Sequence, residues 1–303
     1  MTDRMEAILA ELKAMLDNPP TTVEGFRDGW ASLMDKVMSG LEPVPDVRRL
    51  AVDAGGVDGA WFEPADPVPG RTVVFLHGGG YAFGSTDTHR DFIARIAVAC
   101  RARVLALDYG LAPERPYPAG VDDVTKAYRW LLSEGQNPAA VAIVGDSAGG
   151  GMTLAALVRL RDMGVPLPAA AATVSAWLDF EASGDSMETC ADVDPFINRE
   201  VVLMVAQMYL QGTSAKDASP LYADLRDLPP LLLIAGGNEV LVDDTRRFAA
   251  AARQQGVPVQ LEVYDGLYHD FPLFEPTTAD GKDAISRIAG FLGTHCGDLA
   301  GSS

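Results

Sequence analysis

Cysteine is scarce in this 303-residue chain: Cys100, Cys190 and Cys296 are the full complement. An odd set this widely spaced argues against a disulfide framework, and the absence of a C-x-x-C pair removes the usual signature of a zinc site. No apolar run reaches the ~18 residues that a membrane span needs. The opening MTDRMEAILAELKAMLD mixes charge with apolar positions at helical spacing, which is not the composition of a secretory signal. The expectation is a cytoplasmic protein with no membrane partner. Basic residues are also few, 24 Lys and Arg against 42 Asp and Glu, giving a formal charge of −18. Such a surface repels phosphate backbones, so nucleic acid is not an expected partner.

What is present is a regular alternation. Residues 4–16 and 23–39 read as amphipathic helices separated by the Asn18-Pro19-Pro20 turn, and 47–53 and 58–63 read as a hairpin around Gly55-Gly56. Short apolar strands then alternate with helices. Strands are expected at 71–76, 103–108, 140–145, 169–175, 230–235 and 258–264. Helices are expected at 88–100, 119–134, 148–163, 243–255 and 278–294. This pattern predicts an α/β protein with a mostly parallel sheet covered on both faces. One stretch, 177–228, breaks the rhythm and carries a helix near 199–211. An insertion of that size between core strands usually covers a site. The expected layout is N-terminal helices (1–45) joining the insertion (177–228) as a cap, core segments 46–176 and 229–296, and a flexible tail 297–303.

Gly145-Asp146-Ser147-Ala148-Gly149 fits G-x-S-x-G between a predicted strand and a predicted helix, the context that a nucleophilic serine on a tight turn requires. Side chains two positions either side of Ser147 would collide with the neighbouring strand and helix. No Gly-Lys-Ser/Thr follows, so a nucleotide phosphate loop is not indicated. An earlier strand ends in His77-Gly78-Gly79-Gly80-Tyr81. Consecutive glycines let backbone N–H groups converge on a developing oxyanion. The donors assigned are Gly79, Gly80 and Ala148, with Gly78 as the alternative to a loop glycine.

Four histidines compete for the role of base. His77 falls early in the chain order and is expected to support its loop through hydrogen bonds. His89 and His295 are expected to be solvated or structural. His269 follows the last predicted strand in a Gly-containing loop, where this type of fold presents functional groups. The acid that orients it should lie between Ser147 and His269, in the turn after strand 230–235. Glu239, Asp243 and Asp244 all lie there. Asp243 and Asp244 are expected to start the next helix as capping carboxylates, which favours Glu239.

With these residues in place, the chain resembles the hormone-sensitive-lipase-like family of bacterial esterases over roughly residues 70–295. The resemblance rests on HGGGY at 77–81, DYGLAPERPYPA at 108–119, GDSAGG at 145–150, and the Glu239 and His269 segments. The chain departs from the family's D-P-L-x-D pattern by carrying Glu239 at the position of the leading Asp. The resemblance implies an α/β-hydrolase fold with a helical cap, and dimerisation through the last strand and its neighbouring helices.

The expected activity is carboxylester hydrolysis of small to medium acyl esters through a Ser147–His269–Glu239 triad, without metal or organic cofactor. A lactone substrate is the runner-up, with arylformamidase-type amide hydrolysis and a non-catalytic receptor behind it. Tyr81, Phe83, Phe196, Met208 and Leu267 are the candidate apolar walls of the substrate pocket.

Overall fold

A computed structural model describes residues 3–17 and 22–297. The Asn18-Pro19-Pro20 turn and the tail beyond residue 297 lie outside the described residues. Two helices, α1 (Asp3–Asp17) and α2 (Val23–Ser39), come first. Thr22 caps α2 by accepting the Gly25 N–H at 3.0 Å. Phe26, Trp30, Met34 and Val37 recur at helical spacing along α2, which fixes the face it turns inward.

The hairpin is β1 (Val47–Asp53) and β2 (Asp58–Pro64), antiparallel with Val47 opposite Pro64. The alternating region follows as β3 (Thr72–Leu76), α3 (Arg90–Cys100), β4 (Arg103–Leu107), α4 (Ala119–Ser133), β5 (Val141–Asp146), α5 (Ser147–Asp162) and β6 (Ala170–Val174). The insertion holds α6 (Ser186–Thr189), α7 (Arg199–Leu210) and α8 (Ala215–Ala218). The chain then resumes with β7 (Leu231–Gly236), α9 (Val242–Gln254), β8 (Val259–Tyr264), α10 (Phe271–Phe274) and α11 (Ala279–His295).

The eight strands form one sheet in the order β1-β2-β4-β3-β5-β6-β7-β8. From β4 to β8 all neighbours are parallel, and only the β1–β2–β4 edge is antiparallel. Strand periodicity divides the core. Val74, Leu76, Leu105 and Ile143 enter one apolar cluster with α4, α5 and α9, while Val73, Phe75, Val104 and Val144 enter the other with α1, α2, α3 and α11. Both faces are covered, as near-continuous apolar strands require.

This order places the site. From β3 the chain moves to β4 on one side, and the following strands build outward on the other, so β3 and β5 become neighbours where the winding direction reverses. Their registers align Leu76 with Gly145. The loop after β3 and the turn after β5 therefore emerge side by side at the carboxyl end of the sheet, where open α/β sheets hold ligands. Among the described residues no helix is long and apolar enough to cross a membrane.

Candidate active site

Ser147 stands where β5 passes directly into α5, with φ of +49°. A left-handed backbone is costly for a serine and persists because the surroundings enforce it. A Cβ at Gly145 would lie 2.3 Å from the Gly149 carbonyl oxygen, and one at Gly149 would lie 2.0 Å from the Leu76 carbonyl oxygen. Only glycine fits at either flank.

His269 reaches the serine from the loop after β8. Its Nε2 lies 2.9 Å from Ser147 Oγ. Two loops are laced together to achieve this. Gly237 N–H donates to Tyr264 O at 2.7 Å and Asn238 N–H to Leu267 O at 2.8 Å, so the turn after β7 runs alongside the His269 loop. The Asp270 N–H donates to Ser175 Oγ at 3.0 Å, which pins the same loop to the end of β6.

Glu239, carried by the laced turn, is fully buried, and its Oε2 lies 3.4 Å from His269 Nδ1. That is an ion-pair separation longer than a direct hydrogen bond. Neither Glu239 oxygen has a hydrogen-bond partner among the described residues. Such contacts are often long in ligand-free enzymes and tighten in the complex.

Asp243 and Asp244 lie in the first turn of α9, as expected, but they do not cap it: Leu241 holds the N-cap position, without a side-chain bond. Instead, Asp243 Oδ2 accepts the Ser186 N–H at 2.9 Å, and Asp244 Oδ2 accepts the Leu178 and Asp179 N–H groups, each at 2.9 Å. Both turn away from the helix axis to fasten the insertion to the core. Burial pushes the Asp244 carboxyl up to about 8, beyond what those two N–H groups restore.

The glycine loop after β3 has φ of +119° at Gly79 and +58° at Gly80. The N–H of Gly78 is committed, donating to Asp146 Oδ2 at 3.0 Å, which removes Gly78 from the donor set. Among the described residues no hydrogen bond uses the N–H of Gly79 or Gly80. Ala148 sits in the opening turn of α5, where a backbone N–H has no carbonyl of a preceding turn to meet. The Ala148 N–H lies at the positive end of the α5 dipole, and Gly79 and Gly80 line the same cavity as Ser147.

The other histidines are built into the scaffold. His77 is buried, donates from Nδ1 to Gly78 O at 2.7 Å, and stacks on Tyr109 at 4.4 Å between centroids. Burial and the neighbouring His89 pull its pKa below the ordinary value. His89 holds the N-cap position of α3 without a side-chain capping bond and is buried rather than solvated, with Nε2 3.2 Å from Asp146 Oδ2. Burial alone would lower its pKa, but the Asp146 carboxylate outweighs that and raises it. His295 is half-buried against Phe291, far along α11.

A cavity opens over Ser147, lined by Gly79, Gly80, Asp146, His269 and an apolar wall. The wall includes Phe83 and Phe196, as expected from the sequence, and also Leu12, Met15, Phe26, Trp30, Val201 and Val205. Thus α1, α2 and α7 supply its roof. Phe83 packs against Phe26 and Trp30 with centroids 5.1 and 5.0 Å away. Arg27 ties α2 to the end of the glycine loop, donating from Nε to Ala82 O at 2.8 Å, and to the loop after β4, donating from Nη2 to Ala112 O at 2.9 Å.

Tyr81, Met208 and Leu267 do not line this cavity. Tyr81 is buried beneath the loop, donates its hydroxyl to Trp177 O at 3.0 Å and stacks on Tyr209. Met208 lies on α7 nearly a turn past Val205 and packs on the core. Leu267 packs on the opposite cluster while its carbonyl holds Asn238.

Sequence reasoning missed two buried carboxylates at the site. Asp146, inside the serine motif, clasps Gly78 and His89. Asp270, next to the proposed base, has φ of +51°, and its Oδ2 lies 3.1 Å from His269 Nε2. Burial pulls the His269 imidazole down, yet Asp270 and Glu239 outweigh it and hold its pKa well above the ordinary value. Burial pushes the Asp270 carboxyl up, opposed by His269. Asp146 was visible as the variable residue of the motif, but no spacing signal marked its role or that of Asp270. The described residues contain no cluster of His, Cys, Asp and Glu suited to a metal ion.

A mostly parallel eight-stranded sheet, with a serine turn at its point of reversal, defines an α/β hydrolase. A family described as having the alpha/beta hydrolase fold matches residues 73–273. The chain is 41% identical to an acetyl-hydrolase of Streptomyces hygroscopicus over 249 residues, 82% of this chain and 83% of that protein. It is 33% identical to the carboxylesterase NlhH of Mycobacterium tuberculosis over 299 residues, 91% of this chain and 92% of that one. A solved esterase of the bacterial hormone-sensitive lipase family superposes with a TM-score of 0.92 at 40% identity, covering 98% of this chain and 99% of the other. The chain belongs to the hormone-sensitive-lipase-like family of bacterial esterases and is a carboxylic ester hydrolase.

Proposed function

We propose that this enzyme hydrolyses esters of small to medium acyl groups through an acyl-enzyme on Ser147, with His269 as base and Glu239 as the acid that orients it. The observation that carries this reading is the 2.9 Å contact between Ser147 Oγ and His269 Nε2 at the floor of an apolar cavity. Ser147 attacks the ester carbonyl as its proton passes to His269 Nε2. The carbonyl electrons move onto oxygen, which takes its hydrogen bonds from the N–H groups of Gly79, Gly80 and Ala148. His269 then gives the proton to the departing alcohol as the tetrahedral centre collapses to the acyl-serine. Water, deprotonated by the same imidazole, repeats the attack and releases the carboxylic acid.

Substrate choice follows from the cavity. Its polar groups gather at the floor, and its roof of Leu12, Phe26, Trp30, Val201 and Val205 offers no counter-charge to an anionic acyl chain. Uncharged acyl groups are therefore the proposed substrates. The acetyl-hydrolase relative supports the short end of this range.

The test is an acid-quenched turnover of p-nitrophenyl acetate and butyrate, followed by peptide mapping. An acyl group on the Ser147 peptide is the expected result. Sustained hydrolysis with the acyl group on a different residue would overturn the assignment.

A further inference from the structure

We propose that Asp270 is a positioning residue for His269, sharing the imidazole Nε2 with Ser147 and setting the pH at which that nitrogen can take the serine proton. The proposal rests on the reading of His269 as the base and adds to it a carboxylate on the opposite side of the ring from Glu239.

The geometry is specific. His269 Nε2 lies 2.9 Å from Ser147 Oγ and 3.1 Å from Asp270 Oδ2, while Glu239 Oε2 approaches Nδ1 at 3.4 Å. The imidazole is thus bracketed by carboxylates on both nitrogens. The left-handed backbone at Asp270 turns its side chain back onto the preceding residue, and the bond from its N–H to Ser175 Oγ holds that turn in place. Aspartate tolerates this conformation better than most residues. The side chain is buried, lines the cavity, and its Oδ1 has no hydrogen-bond partner among the described residues.

A proton between Nε2 and Oδ2 has two resting places. On Nε2, it leaves the ring unable to accept from Ser147. On the carboxyl group, it can be donated back to Nε2 in competition with the serine hydroxyl. Only when that proton has been lost is Nε2 an open acceptor, so the base becomes active as the pair deprotonates. During attack the serine proton arrives on Nε2, and the Asp270 carboxylate then stabilises the imidazolium before the proton passes to the leaving alcohol.

The charges around the pair come from several elements. His269 faces Glu239 from the turn after β7 and Asp194 from the insertion. Asp270 faces Asp146 at the end of β5 and Glu239, with His89 from the start of α3 nearby. The Asp194 carboxylate is already held by the N–H groups of Val240, Phe196 and Ile197. Asp146 is held by Gly78 and His89. Asp270 is the carboxylate that meets Nε2 itself.

The experiment combines nitrogen NMR titration of His269, in protein labelled at its histidines, with the pH profile of kcat/KM, for wild type and Asp270→Asn. Loss of the negative charge is expected to lower the titration midpoint of His269 by about one pH unit or more. The acidic limb of kcat/KM moves down with it, and plateau kcat falls by up to about tenfold. Asp270→Gly, which suits the same positive φ, gives the same two shifts if the Asn variant does not fold. A folded variant whose midpoint and limb both stay in place overturns the proposal. If the wild-type limb does not follow the His269 titration at all, the base assignment itself fails and the proposal falls with it; the two failures are told apart by that comparison.

Discussion

The N–H of Gly78 donates to Asp146 Oδ2 at 3.0 Å, so the residue before Ser147 holds the glycine loop that follows β3. Adjacent strands β3 and β5 deliver these groups, and the same carboxylate oxygen lies 3.2 Å from His89 Nε2. One buried side chain therefore fixes the distance between the serine turn and the glycine loop. Asp146→Ala is expected to lower kcat by about a hundredfold, the scale of a lost oxyanion donor, with a smaller change in KM. Asp146→Asn keeps an oxygen for Gly78 and should retain more activity than the alanine variant. Steady-state kinetics on folded variants checks the order; equal activity in both would break the link between the clasp and the loop.

Glu239 and Asp243 are separated by the partners they meet. Glu239 approaches His269 Nδ1, whereas Asp243 accepts from Ser186 and pairs with Arg246. Glu239→Gln is expected to reduce kcat by about 10⁴-fold, as loss of the orienting charge does in serine triads. Asp243→Asn should leave kcat within a few-fold of wild type while loosening the insertion. The reverse ranking would move the acid to Asp243.

The pH profile follows from the sign of the His269 shift. Asp270 and Glu239 overcome the effect of burial and raise its pKa, so the neutral imidazole forms at higher pH than for a free histidine. The acidic limb of kcat/KM is therefore expected above about 6.5. The same raised pKa contributes folding stability below about 6.5 that is lost as pH rises through the folded-state value. A limb well below 6.5 would contradict the bracketed imidazole.

Asp244 gives a separate stability test. Its folded-state carboxyl titrates at about 8, against ~3.9 in an unfolded chain. A raised pKa contributes stability below ~4 that is lost as pH rises toward 8. Between about pH 6 and about pH 9 this group should cost wild type about 3 kcal/mol. Asp244→Asn keeps an oxygen for Leu178 and Asp179 and should flatten that loss in urea unfolding. An unchanged slope would mean that Asp244 carries no excess proton in the folded state.

Most of the fold was legible because strands such as Thr72–Leu76 are buried on both faces and bounded by turn chemistry. The serine turn and the glycine loop were legible for the same reason: steric demands near 2 Å leave only glycine at residues 145 and 149, and such demands are written directly in sequence. Polar partners assembled by tertiary packing were not. The α9 carboxylates looked like helix caps, but Asp243 and Asp244 turn outward to the insertion. Tyr81 looked like a pocket wall, yet its positive φ carries the ring under the loop to meet Trp177 and Tyr209. Asp270 has no motif at all, because its approach to His269 depends on one left-handed residue and a bond to Ser175. Helical spacing showed that α1 and α2 are amphipathic but not that Leu12 and Trp30 line the cavity over the serine.

The central claim is that Ser147 is the activated nucleophile. Intact-mass spectrometry after exposure to a reactive phosphonate ester, with peptide mapping and Ser147→Ala as control, tests it most directly. One adduct per chain on Ser147, absent from a folded Ser147→Ala protein whose hydrolysis has dropped by about 10⁶-fold, is the expected result. An adduct on another residue, or none on folded wild type, would contradict it.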